Sequence, residues 1–144
     1  MAGRDVNVQM GLTSVDEVSF MMLPGKVTEN VQPGNIKLGF FNQVQPEVES
    51  DKIALIFGVR YELEDDKILE CVYRWSVSSR ARLRFITTHD KDGITVTYIM
   101  PLLINVAIGT MRGILVVKTA GTNLSKFPLP IIDSVRLTQS LSNP

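Results

Sequence analysis

The stretch YIMPLLINVAIGTMRGILVVK, Tyr98–Lys118, decides how this chain is read. Between its ends the only charge is Arg112. Three structures suit such a run: a membrane span, the core helix of a globular domain, or a helix made to meet another chain. Ile99, Leu102, Leu103, Val106, Thr110, Gly113, Ile114 and Val117 step by three and four, which is helical spacing. A membrane span needs about 20 apolar residues. Here Arg112 sits inside the run with Asn105 and Thr110. A central arginine costs at least ~2.5 kcal/mol on the insertion scale, so no stable membrane insertion is expected. Pro101 belongs in the first turn, which places the helix start close to it with Thr97 as the N-cap. Lys118 suits the negative pole at the other end, and Gly121 suits the stop.

The remaining choice lies between core and interface. A helix on a single sheet is apolar on one side. This one also carries Met100, Ile104, Ala107, Ile108, Met111 and Leu115 outside the first stripe. A helix apolar all round must be covered all round, and a second copy of the chain is the simplest cover. Gly109 and Gly113 share a face and would admit another backbone, or else pack on the chain's own sheet. Leu103, Val106, Gly109, Thr110 and Gly113 are therefore the candidate oligomer contacts.

Upstream the period changes to two. In KIALIFGVRYEL, Ile53, Leu55, Phe57, Val59, Tyr61 and Leu63 alternate with Lys52, Arg60 and Glu62. A polar turn, Glu64–Lys67, returns the chain into KILECVYRWSV, with Leu69, Cys71, Tyr73, Trp75 and Val77 on one face. VDEVSFMML, with Val18, Phe20 and Met22 on one side, and IKLGFFNQV read as two more strands, set apart by Pro24-Gly25 and Pro33-Gly34. RLRFIT extends the fourth strand beyond a bulge. The expected order is an antiparallel meander or Greek key of about four strands, a long helix, an extended FPLPII segment, and a short helix SVRLTQSL capped by Asp133 or Ser134. Residues 1–14 read as a loose arm, 15–141 as one domain and 142–144 as a tail.

Composition narrows function. The 144 residues are 44% hydrophobic with a formal net charge of zero. The cations are scattered, unlike a nucleic-acid surface, and Arg80, Arg82 and Arg84 suit one exposed strand face. The single cysteine, Cys71, permits no internal disulfide and fits a reducing, cytoplasmic compartment. The N-terminus has no secretory pattern. His89, the only histidine, lies with Asp90 and Asp92 in a polar loop that reads as a solvated turn rather than a cation site. With no phosphate loop, nucleophile pair or metal-spaced cluster, neither enzyme nor cofactor is expected.

At four places the sequence resembles the SecB family of protein-export chaperones. These are VSFMML (residues 18–23), NVQPGNIKLGF (30–40), ECVYRWSVSSRARLRFI (70–86) and, most of all, 101–137, with Arg112-Gly113 and the segment PLPII at 128–132. The resemblance implies an α+β SecB-like fold: an antiparallel sheet of about four strands, a long helix and a short C-terminal helix, packed as dimers that pair into tetramers. It implies an ATP-independent holdase for unfolded or slowly folding polypeptides. Met21, Met22, Leu23, Leu124, Phe127 and Leu129 would border the client groove, although Met22 suits a core equally well. The export ATPase SecA is the further implied partner. Family members reach it through acidic residues and a C-terminal tail, whereas this chain is neutral and ends in Ser-Asn-Pro after Leu141. A dedicated, antitoxin-type chaperone for one protein is the alternative on the same fold.

Overall fold

The computed structural model describes residues 10–46, 51–79, 84–86 and 93–142. Four antiparallel strands, β1 (Met10–Met22), β2 (Ile36–Pro46), β3 (Lys52–Leu63) and β4 (Asp66–Ser79), form one sheet in the order β1-β4-β3-β2. The hairpin-linked strands β2, β3 and β4 thus receive β1 beside β4, a Greek key. Two short strands, β5 (Arg84–Ile86) and β6 (Gly93–Thr95), pair in parallel and lead into α1 (Val96–Thr119). The second helix, α2, spans Ser134–Ser142. His89–Asp92 of the HDKDG loop, and Arg80 and Arg82, lie outside the described residues.

The period-two pattern predicted for β3 and β4 holds along their shared ladder. Leu55 faces Trp75, Phe57 faces Tyr73 and Val59 faces Cys71. Phe57 and Trp75 meet edge-to-face with centroids 6.2 Å apart. The indole N–H of Trp75 has no acceptor among the described residues. The β3–β4 turn is tighter than expected: Glu64 (φ 52°) and Asp65 (φ 67°) are both left-handed, and β4 starts at Asp66. That backbone matches the right-handed strand twist, which a two-residue loop requires.

Three boundary expectations are corrected. Met10–Ser14, assigned to the arm, belongs to β1 and reaches β4 as far as Ser79. Val18 does not share a face with Phe20 and Met22 in register: the ladder shifts between Glu17 and Ser19, so Val18 bulges out, about half exposed, and Glu17 faces Tyr73. The long helix starts at Val96, so Thr97 lies inside it and Pro101 falls in its second turn. Ile99 and Met100 are buried, and that burial sustains a turn that proline alone disfavours. The other end follows expectation. Gly121 takes φ 79° just past the helix, and Asp133 caps α2 by accepting from the N–H groups of Val135 (3.0 Å) and Arg136 (3.2 Å).

α1 lies on the inner face of the sheet. Met100, Leu103, Ile104, Ala107, Ile108, Met111 and Leu115 are buried in one core with Phe57, Tyr61 and Trp75. Its last turn is tied to β1: the Lys118 ammonium pairs with Glu17 and sits 4.2 Å from the centre of the Phe20 ring. The Tyr73 hydroxyl donates to the same carboxylate at 3.2 Å. The hydrogen bond from Lys118 holds the Glu17 carboxyl below the usual carboxylate range.

Candidate functional site: a walled groove and an uncovered helix face

The chain leaving α1 folds back over the sheet, and side chains hold its carbonyls in place. Tyr61, buried on β3, donates its hydroxyl to the carbonyl of Phe127 at 2.8 Å. Arg112 donates Nε to Leu129 O (3.0 Å) and Nη2 to Pro130 O (2.7 Å). Asn123 donates Nδ2 to Val27 O at 2.7 Å, linking this loop to the β1–β2 connection. A proline-broken segment has few backbone donors of its own, so these captured carbonyls decide its path. Arg112, the one charge between the ends of the opening stretch, is therefore a brace. Arg112→Met is expected to leave the fold intact and to raise amide hydrogen exchange by about tenfold or more at Leu129 and Ile132, which mass spectrometry reads. Unchanged exchange there would remove Arg112 from this role.

Between this loop and the start of β2 runs a groove of about 240 Å³, lined by Pro33, Ile36, Leu38, Lys126, Phe127, Pro128 and Pro130. Its walls are mostly apolar, with a single ammonium at the rim. Of the residues implied as client contacts, only Phe127 lines it, and that residue is 9% exposed. Leu124 and Leu129 are buried in the core beneath the loop. Met21 and Met22 are partly buried at the end of β1, and Leu23 is exposed there. Met22, Leu69, Tyr61 and Leu38 form one row across the sheet. Met22 thus lies three strands from Leu38, roughly 14 Å at the usual strand spacing. The two groups share an end of the sheet but not one groove. Pro33, Ile36, Leu38, Pro128 and Pro130 are not among the client contacts that the resemblance implies. Their proline-broken flanks were visible, but the edge position of β2 was not.

The second feature is on α1. Leu102, Val106, Val116 and Val117 are exposed, at 53%, 39%, 57% and 77%. They lie on one side with Asn105, Gly109 and Gly113, all exposed. The Thr110 hydroxyl bonds back to Val106 O at 2.9 Å, so it asks nothing of a partner. A Cβ added at Gly109 or Gly113 would meet nothing within 4 Å, so neither glycine packs on the chain's own sheet. Of the candidate oligomer contacts, Val106, Gly109, Thr110 and Gly113 share this side, whereas Leu103 is buried beneath α1. The spacing of three and four had merged two neighbouring faces. By length and composition α1 could span a membrane, yet its opposite face is seated on the sheet.

Cys71 is buried in mid-sheet, and burial pushes its thiol up to about 11. A thiol so protonated is no nucleophile. We expect no reaction with a thiol reagent in the native protein at neutral pH, and full reaction once the chain is unfolded. Among the described residues no group of three or more His, Cys, Asp or Glu side chains could hold a metal.

Compared with known proteins, the chain matches no family model and no curated sequence. Among solved structures it superposes on the SecB-like chaperone Rv1957 of Mycobacterium tuberculosis with a TM-score of 0.56, covering 87% of each chain at 8% identity. The fold is SecB-like. A four-strand sheet, long helix and short final helix recur in the same order, while the residues scarcely do. That SecB-like chaperone was solved in complex with a ChAD peptide from the antitoxin HigA1, Rv1956.

Proposed function

We propose that this chain is an ATP-independent chaperone that holds apolar stretches of non-native polypeptide in the groove between β2 and the loop after α1. The observation that carries this reading is the groove itself: an apolar slot walled by a braced loop, on a SecB-like fold. Ile36, Leu38, Phe127 and the prolines offer shape-tolerant contact rather than convergent polar groups, as a binder of many sequences requires. The working form is an assembly in which the exposed side of α1 is covered by another copy, since an apolar stripe of this kind needs a cover. A cytoplasmic setting accords with the lone, buried cysteine.

Contact with an export ATPase through an acidic sheet face is not part of this reading. On the outer face Glu62 pairs with Arg60 at 3.0 Å, and Glu70 pairs with Lys67 at 3.5 Å. A second reading, service to one dedicated client, is favoured by the antitoxin peptide held by the structural neighbour. Size-exclusion chromatography with light scattering separates the two. Mixed with a freshly diluted, chemically unfolded model protein, a general chaperone retains it and ignores the same protein when native. A dedicated one retains neither and captures its own client. Leu38→Asp, on a partly exposed side chain, is expected to weaken retention of the unfolded protein by about tenfold or more, with the oligomer mass unchanged. Retention equal to wild type would place the client elsewhere.

A further inference from the structure

The outer face of the sheet, turned away from α1, changes character along its length. Near the β3–β4 turn its charges are paired, Arg60 with Glu62 and Lys67 with Glu70. Farther along β4 this pairing stops at Arg74. That exposed guanidinium has no hydrogen bond or ion pair among the described residues, although Asp16 stands opposite it in the ladder. Beside it the face is hollow. Gln45, Ala54 and Ser76 form one row across β2, β3 and β4, and Ala54 and Ser76 are short. Lys52 precedes Ala54 by two positions on β3, and Arg74 precedes Ser76 by two on β4. Because these strands are antiparallel, the two cations flank the row from opposite sides. The result is a depression of about 230 Å³ walled by Thr13, Gln45, Lys52, Ala54, Arg74 and Ser76, with no carboxylate among the described residues that line it. The Thr13 hydroxyl donates to Ser76 O at 3.0 Å. The Lys52 ammonium, the Arg74 guanidinium and the Gln45 amide bring donors to the walls. Past Arg74 the face turns apolar. Ile56, partly exposed, pairs with Arg74, and in the next row the exposed Phe41 lays its ring where a Cβ on Gly58 would be.

We propose that this outer face docks an acidic segment of a partner polypeptide, with carboxylates at Arg74 and Lys52 and an apolar side chain on Ile56 and Phe41. Three observations select that chemistry. Cations lining a hollow that has no carboxylate of its own attract an anion. The spacing suits a chain better than one small anion: Ile56, the partner of Arg74, lies four positions beyond Lys52, about 13 Å of strand. The apolar surface beside the guanidinium serves a side chain next to the carboxylate, which a free phosphate lacks. The site lies on the opposite face of the sheet from the groove and from α1. It goes beyond the chaperone reading and does not depend on it. A partner held there would leave the groove open.

The test uses the full chain and a fluorescent synthetic peptide of about twelve residues, with glutamates set among leucines and serines. A twin peptide carries glutamine in place of every glutamate. Fluorescence anisotropy is expected to show the glutamate peptide binding at least about tenfold more tightly than its twin. That preference should vanish in Arg74→Glu. Ser76→Asp, which sets a carboxylate in the depression, should act in the same direction and serves where Arg74→Glu does not fold. Leu38→Asp, in the groove on the other face, should leave the preference intact. Equal affinity of the two peptides for the unaltered chain would overturn the proposal. So would a preference that survives both Arg74→Glu and Ser76→Asp. A preference lost in Leu38→Asp would place the acidic peptide in the groove and overturn it as well. Inorganic phosphate that displaces the glutamate peptide at equal concentration would make the depression a small-anion site, against a polypeptide partner.

Discussion

Ile104→Ala is expected to lower the free energy of unfolding by about 2–5 kcal/mol, and Val117→Ala by no more than about 0.5 kcal/mol. Both sites are aliphatic and lie on the same helix. Ile104 is fully buried against the sheet, so its loss removes transferred surface and leaves a cavity. Val117 is 77% exposed and leaves none. Urea denaturation reads the difference, at concentrations low enough that the midpoint no longer depends on protein concentration. Equal losses at the two sites would mean that α1 is seated by a different face.

Val106→Asp is the second large effect, and it concerns assembly. Val106 lies on the exposed side of α1 with Gly109, Gly113 and Val117. An aspartate there stays hydrated in the single chain but is stripped of water when another copy covers it. An uncompensated buried charge costs ~3–5 kcal/mol, which weakens association by roughly 10²-fold to several 10³-fold. Light scattering should show the mass fall to that of one chain at micromolar concentration, with the circular dichroism unchanged. Gly113→Leu should act in the same direction by bulk, since the lone chain has open space at that position. Full mass in both variants would mean that copies meet through another surface, and the exposed stripe would need a different cover.

Most of the fold was legible because its signals are local. The alternation of Ile53 to Leu63 against Lys52, Arg60 and Glu62 makes β3 a strand whatever surrounds it. Gly121 and Asp133 mark helix ends through backbone chemistry confined to a few residues. Two local signals misled where tertiary contacts outweighed them. Pro101 pointed to a helix start, but burial of Ile99 and Met100 carried the helix upstream to Val96. Val18 fitted the alternation until a bulge put Glu17 opposite Tyr73.

The groove was much less legible. Leu124 and Leu129 stand in a polar, proline-broken segment and look available, yet the loop folds them inward because Tyr61, Arg112 and Asn123 hold its backbone from distant elements. Leu38 looked like an ordinary strand residue. Only the order β1-β4-β3-β2 makes it an edge residue beside Phe127.

The sequence by itself determined that this chain is an antiparallel sheet followed by a helix apolar on nearly all sides, since period, turns and caps depend on neighbours within a few positions. Which side of that helix meets the sheet, which strand is left unpaired, and where the loop carbonyls find donors were decided only by tertiary structure. Those outcomes depend on contacts between residues tens of positions apart, such as Tyr61 with Phe127 and Lys118 with Glu17, and no local pattern encodes them.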